Sequence, residues 1–337
     1  MPDALVLAGG ISKGAFTAGA LSVLSAPDVK VRHGIDFRRL LGASSGALNA
    51  AYFAAEIRAG AEAFAGRRLA ELWLDEATLG GAFDVSLRDV VRGLGISTDD
   101  KILRLLRNNI RPREGKNAIE LRLVITNADG QSIPVDGEIA TTFEHVVELT
   151  GADFDTAESL ERVFAAVAAS SALPGAFAPV PFQIGDRTVR GMDGGLVDNA
   201  PLGHALSGAP DVARVFVIVP FPRVRIEPPD LHGLALVSHV FDMVLDERLV
   251  RDLRCADHVN RVLAQLPSVV PDAAQRAALL DALGWSDRRI VQVVDIRPDV
   301  ELPGNGFSGF TSRDLRAQYI EAGVDAARRS LAKLAPG

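Results

Sequence analysis

Cysteine is all but missing: 337 residues contain one, Cys255. A lone cysteine cannot close a disulfide within the chain, and it removes the Cys clusters that hold zinc or iron–sulfur groups. The six histidines, His33, His145, His204, His232, His239 and His258, include no His-Glu-x-x-His pair. No metal and no cofactor is therefore expected. Basic residues number 36 against 43 acidic ones, a net charge of −7, and no lysine or arginine run stands out, which argues against a nucleic-acid partner. A long apolar run is also lacking. The longest charge-free stretch, 163–185, carries Pro174, Pro179, Pro181 and two serines, so it reads as a buried helix ending in a loop rather than a membrane span. Met1-Pro2-Asp3 lacks the basic start of a secretory leader, and the apolar stretch after it breaks at Gly9-Gly10. A reducing, cytoplasmic setting fits, with room for peripheral contact at a membrane surface.

What is present is ordinary globular material, 48% hydrophobic and 23% charged, which excludes a disordered chain. Residues 4–8 read as a buried strand running into a glycine turn, and 14–24 as a helix with Phe16, Ala20, Leu21 and Leu24 on one side. A second strand over 37–41 ends at Gly42, and an Ala-rich helix follows over 45–56. Strand, tight turn and helix thus occur twice, the pattern of parallel strands with crossover helices. Residues 61–110 read as amphipathic helices with breaks at Gly80-Gly81 and 93–95, one cluster formed by Leu69, Leu72, Trp73 and Leu74, another by Ile102, Leu103, Leu105 and Leu106. Strands are expected over 119–126, with a hairpin turn at Asp129-Gly130, and over 187–190, 214–219 and 289–296. Helices are expected over 234–266, 272–283 and 312–334. Length alone suggests about two domains. No repeat, low-complexity tract or parting linker is visible, so one domain is expected over 1–337, with a motif-bearing core at 4–220, a helical cap-like segment at 61–110, and C-terminal helices and strand over 232–334.

The strongest local signal is Gly42-Ala43-Ser44-Ser45-Gly46, a G-x-S-x-G between an expected strand and an expected helix. A nucleophilic serine needs a tight, strained turn that projects its hydroxyl from the sheet edge, and Gly42 and Gly46 let strand and helix converge there. The competing reading is a small-residue packing turn. Gly9-Gly10-Ile11-Ser12-Lys13-Gly14 sits at the other strand-to-helix turn. It matches neither a P-loop, since Ala15 and Phe16 follow Gly14, nor a dinucleotide fingerprint. It is either a small anion cradle or a turn without chemistry; paired with a serine elbow, the cradle would be an oxyanion hole. No histidine lies in a motif-like setting. Asp193, opening Asp193-Gly194-Gly195 after a strand, is an alternative base, with a simple turn as the competing reading. Asp198 is a minor alternative base, and with Asn199 belongs to loop architecture.

Taken together, these segments resemble the patatin-like phospholipase family. LAGGISKGAFTAGAL at 7–21 is similar to its glycine-rich entry, GASSGALNA at 42–50 to its serine elbow, ASSALPGAFAPV at 169–180 to its Ala-Ser-rich loop, and DGGLVDNAPL at 193–202 to its Asp-Gly-Gly/Ala block. The resemblance implies a three-layer α/β/α sandwich around a largely parallel sheet. It implies a dyad of Ser44 as nucleophile and Asp193 as base, without histidine. It also implies an oxyanion hole from the backbone around Gly9, Gly10 and Ile11, with Lys13 at the family's basic position. Ile11 replaces the family's third glycine, and a β-branched residue disfavours positive φ. The implied activity is hydrolysis of acyl esters in lipid or phospholipid, of phospholipase A or lysophospholipase type. Alternatives are a conventional Ser-His-Asp carboxylesterase, a lipid acyltransferase and a catalytically idle lipid-binding module. The leucine-rich faces of 61–110 are expected to hold the acyl chain. Oligomeric state has no signature in the chain.

Overall fold

In a computed structural model, which describes residues 2–78, 99–174, 177–207, 211–224 and 233–334, β1 (Asp3–Leu7) is buried along its whole length. A strand covered on both faces reads as a continuous apolar run, and DALVL is nearly one. Leu5 and Leu7 pack into one hydrophobic cluster, whereas Ala4 and Val6 pack into another. The period-two alternation of a strand thus places a core on each face of the sheet. β1 pairs in parallel with β2 (Phe37–Gly42) on one side and β7 (Arg214–Ile218) on the other. β8 (Gln292–Ile296) extends the sheet parallel to β7, and β3 (Glu120–Val135) lies parallel to β2. Beyond β3 the pairing turns antiparallel, through β4 (Glu138–Thr150), β6 (Arg187–Met192) and β5 (Val180–Ile184). The order is β5-β6-β3-β2-β1-β7-β8, with β4 also on β3. This is a mixed, mostly parallel sheet with flanking helices, the α/β class expected.

The crossover helices α1 (Gly14–Leu24), α2 (Pro27–His33), α3 (Ser45–Arg58) and α4 (Ala65–Asp75) follow in chain order. α1 and α3 are buried almost all round. α2 buries nothing and is held by local rules, with Pro27 in its first turn and Gly34 as a left-handed cap at φ 57°. The C-terminal helix Arg313–Ala332, capped by the Ser312 hydroxyl on the Leu315 N–H at 3.2 Å, packs on α1. No helix among the described residues is long and apolar enough to cross a membrane.

Two expectations need correction, and a third falls partly outside the described residues. The hairpin turn is not at Asp129-Gly130. β3 runs through that dipeptide, its register with β4 shifts between Thr126 and Gln131, and the turn falls at Asp136-Gly137, both at positive φ (50° and 83°). The Asp129 carboxylate instead accepts the Arg190 N–H at 2.7 Å and Nε at 2.8 Å, tying the bulge to β6. The stretch 163–185 does begin in a buried helix (Ala157–Ser170), but its tail holds strand β5 rather than loop alone. In 61–110 the helices α4 and Asp99–Asn109 are present, while the expected breaks at Gly80-Gly81 and 93–95 lie outside the described residues.

Candidate active site

Ser44, with Ala43 before it, joins β2 to α3, and its backbone sits at φ 54°, ψ −131°. A non-glycine residue at positive φ costs roughly 1–3 kcal/mol and persists only when its surroundings over-determine it. Here they do. The Ser44 N–H donates to Ser170 Oγ at 3.0 Å, and the Ser44 carbonyl accepts from Ser171 Oγ at 3.1 Å. The elbow also needs Gly46, because a Cβ there would stand 2.1 Å from the Leu7 carbonyl oxygen of β1.

β3 brings Asp193 to this elbow. β2 runs parallel to β3 and ends with Gly42 opposite Leu123. β6 arrives from the other direction, with Met192 opposite Thr126, while β4 holds the other edge of β3. β2 and β6 therefore lie end to end along one edge, parted by Val124 and Ile125. The chain leaves β2 toward Ser44 and leaves β6 toward Asp193, so the two meet over that gap. Ser170 closes it, donating its hydroxyl to the Val124 carbonyl at 2.7 Å and accepting the Gly194 N–H on its own carbonyl at 3.0 Å.

The Asp193 carboxyl is 2% exposed. Its Oδ1 accepts the Gly195 N–H at 2.8 Å, while Oδ2 is buried without a well-formed hydrogen bond. Burial pushes its pKa up to about 6, with the nearby Ser44 hydroxyl and the Gly195 N–H pulling the other way. Ser44 is thus near the carboxyl, and the two do not form a hydrogen bond of ordinary geometry.

The glycine turn lies beside them. A Cβ on Gly9 would fall 2.6 Å from both Ser44 Cβ and Asn199 Oδ1, so only glycine fits that contact. The Gly9 N–H donates to Asn199 Oδ1 at 3.0 Å and the Gly10 N–H to Ser45 Oγ at 3.0 Å. The Ile11 N–H has no acceptor among the described residues. Ile11 adopts φ 55° despite its branching, a conformation costing roughly 1–2 kcal/mol. The next residue locks it: the Ser12 N–H and Oγ both donate to the Gly306 carbonyl, at 2.9 and 2.6 Å. Lys13 departs from expectation. Its N–H donates to the Gly10 carbonyl at 2.9 Å, and its ammonium turns to Glu301 at 2.8 Å above the Phe221 ring. It braces the turn and does not line the pocket.

Ser44, Asp193 and Ile11 share the wall of one slot-like cavity of about 590 Å³, its open mouth included. Its other walls are mostly apolar, with Leu72, Trp73 and Leu105 from the 61–110 segment facing Leu173, Phe177 and Phe310. No histidine among the described residues lines it. His145 sits against Phe182, His204 contacts Glu144, and His258 is exposed. Asp198, the other candidate base, also lies outside the slot; burial pushes its carboxyl up to about 7 against the pull of Arg248.

Sequence reasoning missed Ser170, Ser45 and the clamping role of Asn199, whose side chain bonds Gly9 on both its N–H and its carbonyl (3.0 and 3.3 Å). The two serines stood inside motifs, but only the fold shows which backbone groups their hydroxyls serve.

No curated protein matches the chain at a significant level. Among solved structures it is similar to VipD from Legionella pneumophila, at 15% identity and a TM-score of 0.42, over 98% of this chain and 66% of that one. The chain thus spans just under two thirds of that neighbour's length. A family model described as patatin-like phospholipase matches residues 5–206. That match runs from β1 through the elbow to the residues beyond β6, well over half of the chain, and the protein belongs to the patatin-like phospholipase family.

Proposed function

We propose that this protein is a serine lipid acyl hydrolase of phospholipase A or lysophospholipase type. Family membership supports lipid acyl hydrolysis in general. The observation that carries the finer reading is a buried carboxylate, Asp193, beside a strained elbow serine at the wall of an apolar slot that no described histidine enters. Ser44 Oγ attacks the acyl carbonyl while its proton passes to Asp193, forming a tetrahedral oxyanion. The Ile11 N–H, without an acceptor among the described residues, receives that charge, and the Gly10 N–H joins it if Ser45 releases its hydrogen bond. The ester C–O bond then breaks, the alcohol leaves with the proton from Asp193, and water repeats the sequence on the acyl-enzyme. A carboxyl held near pKa 6 is a better base than an ordinary aspartate and is still mostly ionised at neutral pH. The slot suits an acyl chain, each buried methylene contributing about 0.8 kcal/mol.

A panel of lipid esters with mass-spectrometric product identification, run beside Ser44→Ala, tests the reading. Free fatty acid should be released by the wild type and not by the variant, and a fluorophosphonate should label Ser44. Turnover that survives Ser44→Ala sinks the proposal. A His→Gln variant that stays folded but is equally dead would favour the Ser-His-Asp alternative.

A further inference from the structure

Away from the slot, four elements of the fold converge on a second polar cluster. Glu144 comes from β4, Asp198 from the short helix Gly195–Asp198, His204 from Leu202–Leu206, and Arg248 and Asp252 from the long helix Gly233–Val269. One carboxylate oxygen of Glu144, one of Asp198 and one imidazole nitrogen of His204 lie within 4.8 Å of one another. His204 Nε2 contacts Glu144 Oε1. Arg248 Nη1 donates to Glu144 Oε2 at 2.5 Å and to the Val197 carbonyl at 2.9 Å, and its Nε stands 3.4 Å from Asp198 Oδ2. Asp252 Oδ2 accepts the Gly203 N–H at 3.3 Å.

Asp198 is the anomaly. Its side chain is fully buried, and neither carboxylate oxygen has a hydrogen-bond partner. A buried carboxylate is ordinarily hydrogen-bonded, paired at close range or bound to a metal. Arg248 reaches it only through the longer Nε contact, because its Nη1 is spent on Glu144 and Val197. Acidic groups also outnumber basic ones: the side chains of Glu144, Asp198 and Asp252 stand around one guanidinium, that of Arg248.

We infer that Glu144, Asp198 and His204 form a divalent-cation site, filled by a metal that accepts mixed oxygen and imidazole ligands, such as Mn²⁺ or Zn²⁺. The imidazole makes the hard ions Ca²⁺ and Mg²⁺ poorer occupants. Arg248 can keep its contact with Glu144 Oε2 while Oε1 and His204 Nε2 turn to the ion. Neighbouring ligands about 2.1 Å from one ion stand about 3.0–3.4 Å apart in octahedral or tetrahedral geometry, so the widest pair of the cluster closes by up to about 1.5–2 Å on binding. The cation would act at a distance from the chemistry. Asp198 is followed by Asn199, the residue that clamps Gly9 from both sides, so a metal there stiffens the support of the glycine turn without touching substrate.

The test is binding, which does not depend on the dyad reading. Full-length protein stripped with EDTA and dialysed is titrated with MnCl₂ by electron paramagnetic resonance and with ZnCl₂ by calorimetry, with CaCl₂ as comparison. One equivalent of Mn²⁺ or Zn²⁺ should bind, more tightly than Ca²⁺, and raise the melting temperature. Glu144→Gln and His204→Gln should each weaken binding at least tenfold, Asp198→Asn should abolish it, and Ser44→Ala should bind as the wild type does. No stoichiometric binding up to millimolar metal, or binding unchanged in Glu144→Gln and His204→Gln, overturns the inference. These two variants decide the matter even if Asp198→Asn fails to fold.

Discussion

Replacing Asp193 with asparagine should make the protein more stable and less active at once. The carboxyl has an ordinary pKa of 3.8 and is held at about 6 in the folded chain, chiefly by burial. An acid whose folded pKa lies above its unfolded one favours the native state when protonated. Stability is then fully present below pH 4 and is lost as the pH climbs through 6. At 1.36 kcal/mol per unit, the ionised native state at pH 7.5 carries a penalty of about 3 kcal/mol. Asparagine is neutral at every pH in this range. It keeps an oxygen for the Gly195 N–H and the same volume, so the penalty disappears. With about 2.1 cal/mol/K of unfolding entropy per residue, 3 kcal/mol corresponds to a rise of about 4 °C in Tm for a chain of 337 residues. The assay is denaturant and thermal unfolding of both proteins at pH 4 and pH 7.5, beside ester turnover. The expected gain is about 3 kcal/mol at pH 7.5 and below about 1 kcal/mol at pH 4, while turnover falls by about 10²–10⁴-fold. A variant no more stable than the wild type at pH 7.5, or a gain that ignores pH, would refute the burial argument.

Because the base must be ionised to accept a proton, kcat/KM of the wild type should rise through about pH 6 and level off above it; a profile flat from pH 5 to 8 would speak against Asp193. Ser170→Ala strands the Ser44 N–H and the Val124 carbonyl, so stability should fall by about 1–3 kcal/mol for an unsatisfied buried group, measured by urea unfolding, with turnover reduced as the elbow loosens. Ile11→Gly removes the side chain from the slot but keeps the N–H, so turnover of a short ester should stay within about tenfold of wild type, whereas losing one oxyanion donor costs about 10²–10³. Gly46→Ala drives a methyl into the Leu7 carbonyl and should cost about 3 kcal/mol, read as poor soluble yield or a collapsed melting transition.

The elements that carry the site were legible because each obeys a local rule. β1 is an apolar run after Asp3 and β2 ends in Leu40 and Leu41, and the turns after them announce themselves with glycine. Ser44 could be placed on its elbow from five residues. The hairpin was harder, because β3 and its turn contain two Asp-Gly dipeptides, at 129–130 and 136–137, both able to take positive φ. What separates them is Arg190, 61 residues away, which captures Asp129, and no local pattern reveals such a partner. β4 was overlooked for the same reason, since an early turn leaves its residues without a mate. The mostly polar α2 lacks any apolar stripe to betray it. Within the site, residue types pointed to the glycine turn, but not to which N–H groups it leaves free. That depends on Asn199 and Ser45 claiming the first two, and on the Gly306 carbonyl holding Ser12 from the far end of the chain.

The end-to-end seating of β2 and β6 against β3 has a consequence for the newly made chain. A ribosome that has released residues up to β4 has already exposed every part of the elbow. Yet the acid that faces it follows a strand made some forty residues later, whose ladder pairing with β3 is limited to Thr126 and Asn127. Those two pairings are short, and a slip of one residue would turn Asp193 to the other side of the sheet. A half-synthesised or miszipped chain therefore carries the elbow serine without the buried carboxyl that faces it. The meeting of Ser44 and Asp193 arrives as a late property of the finished sheet.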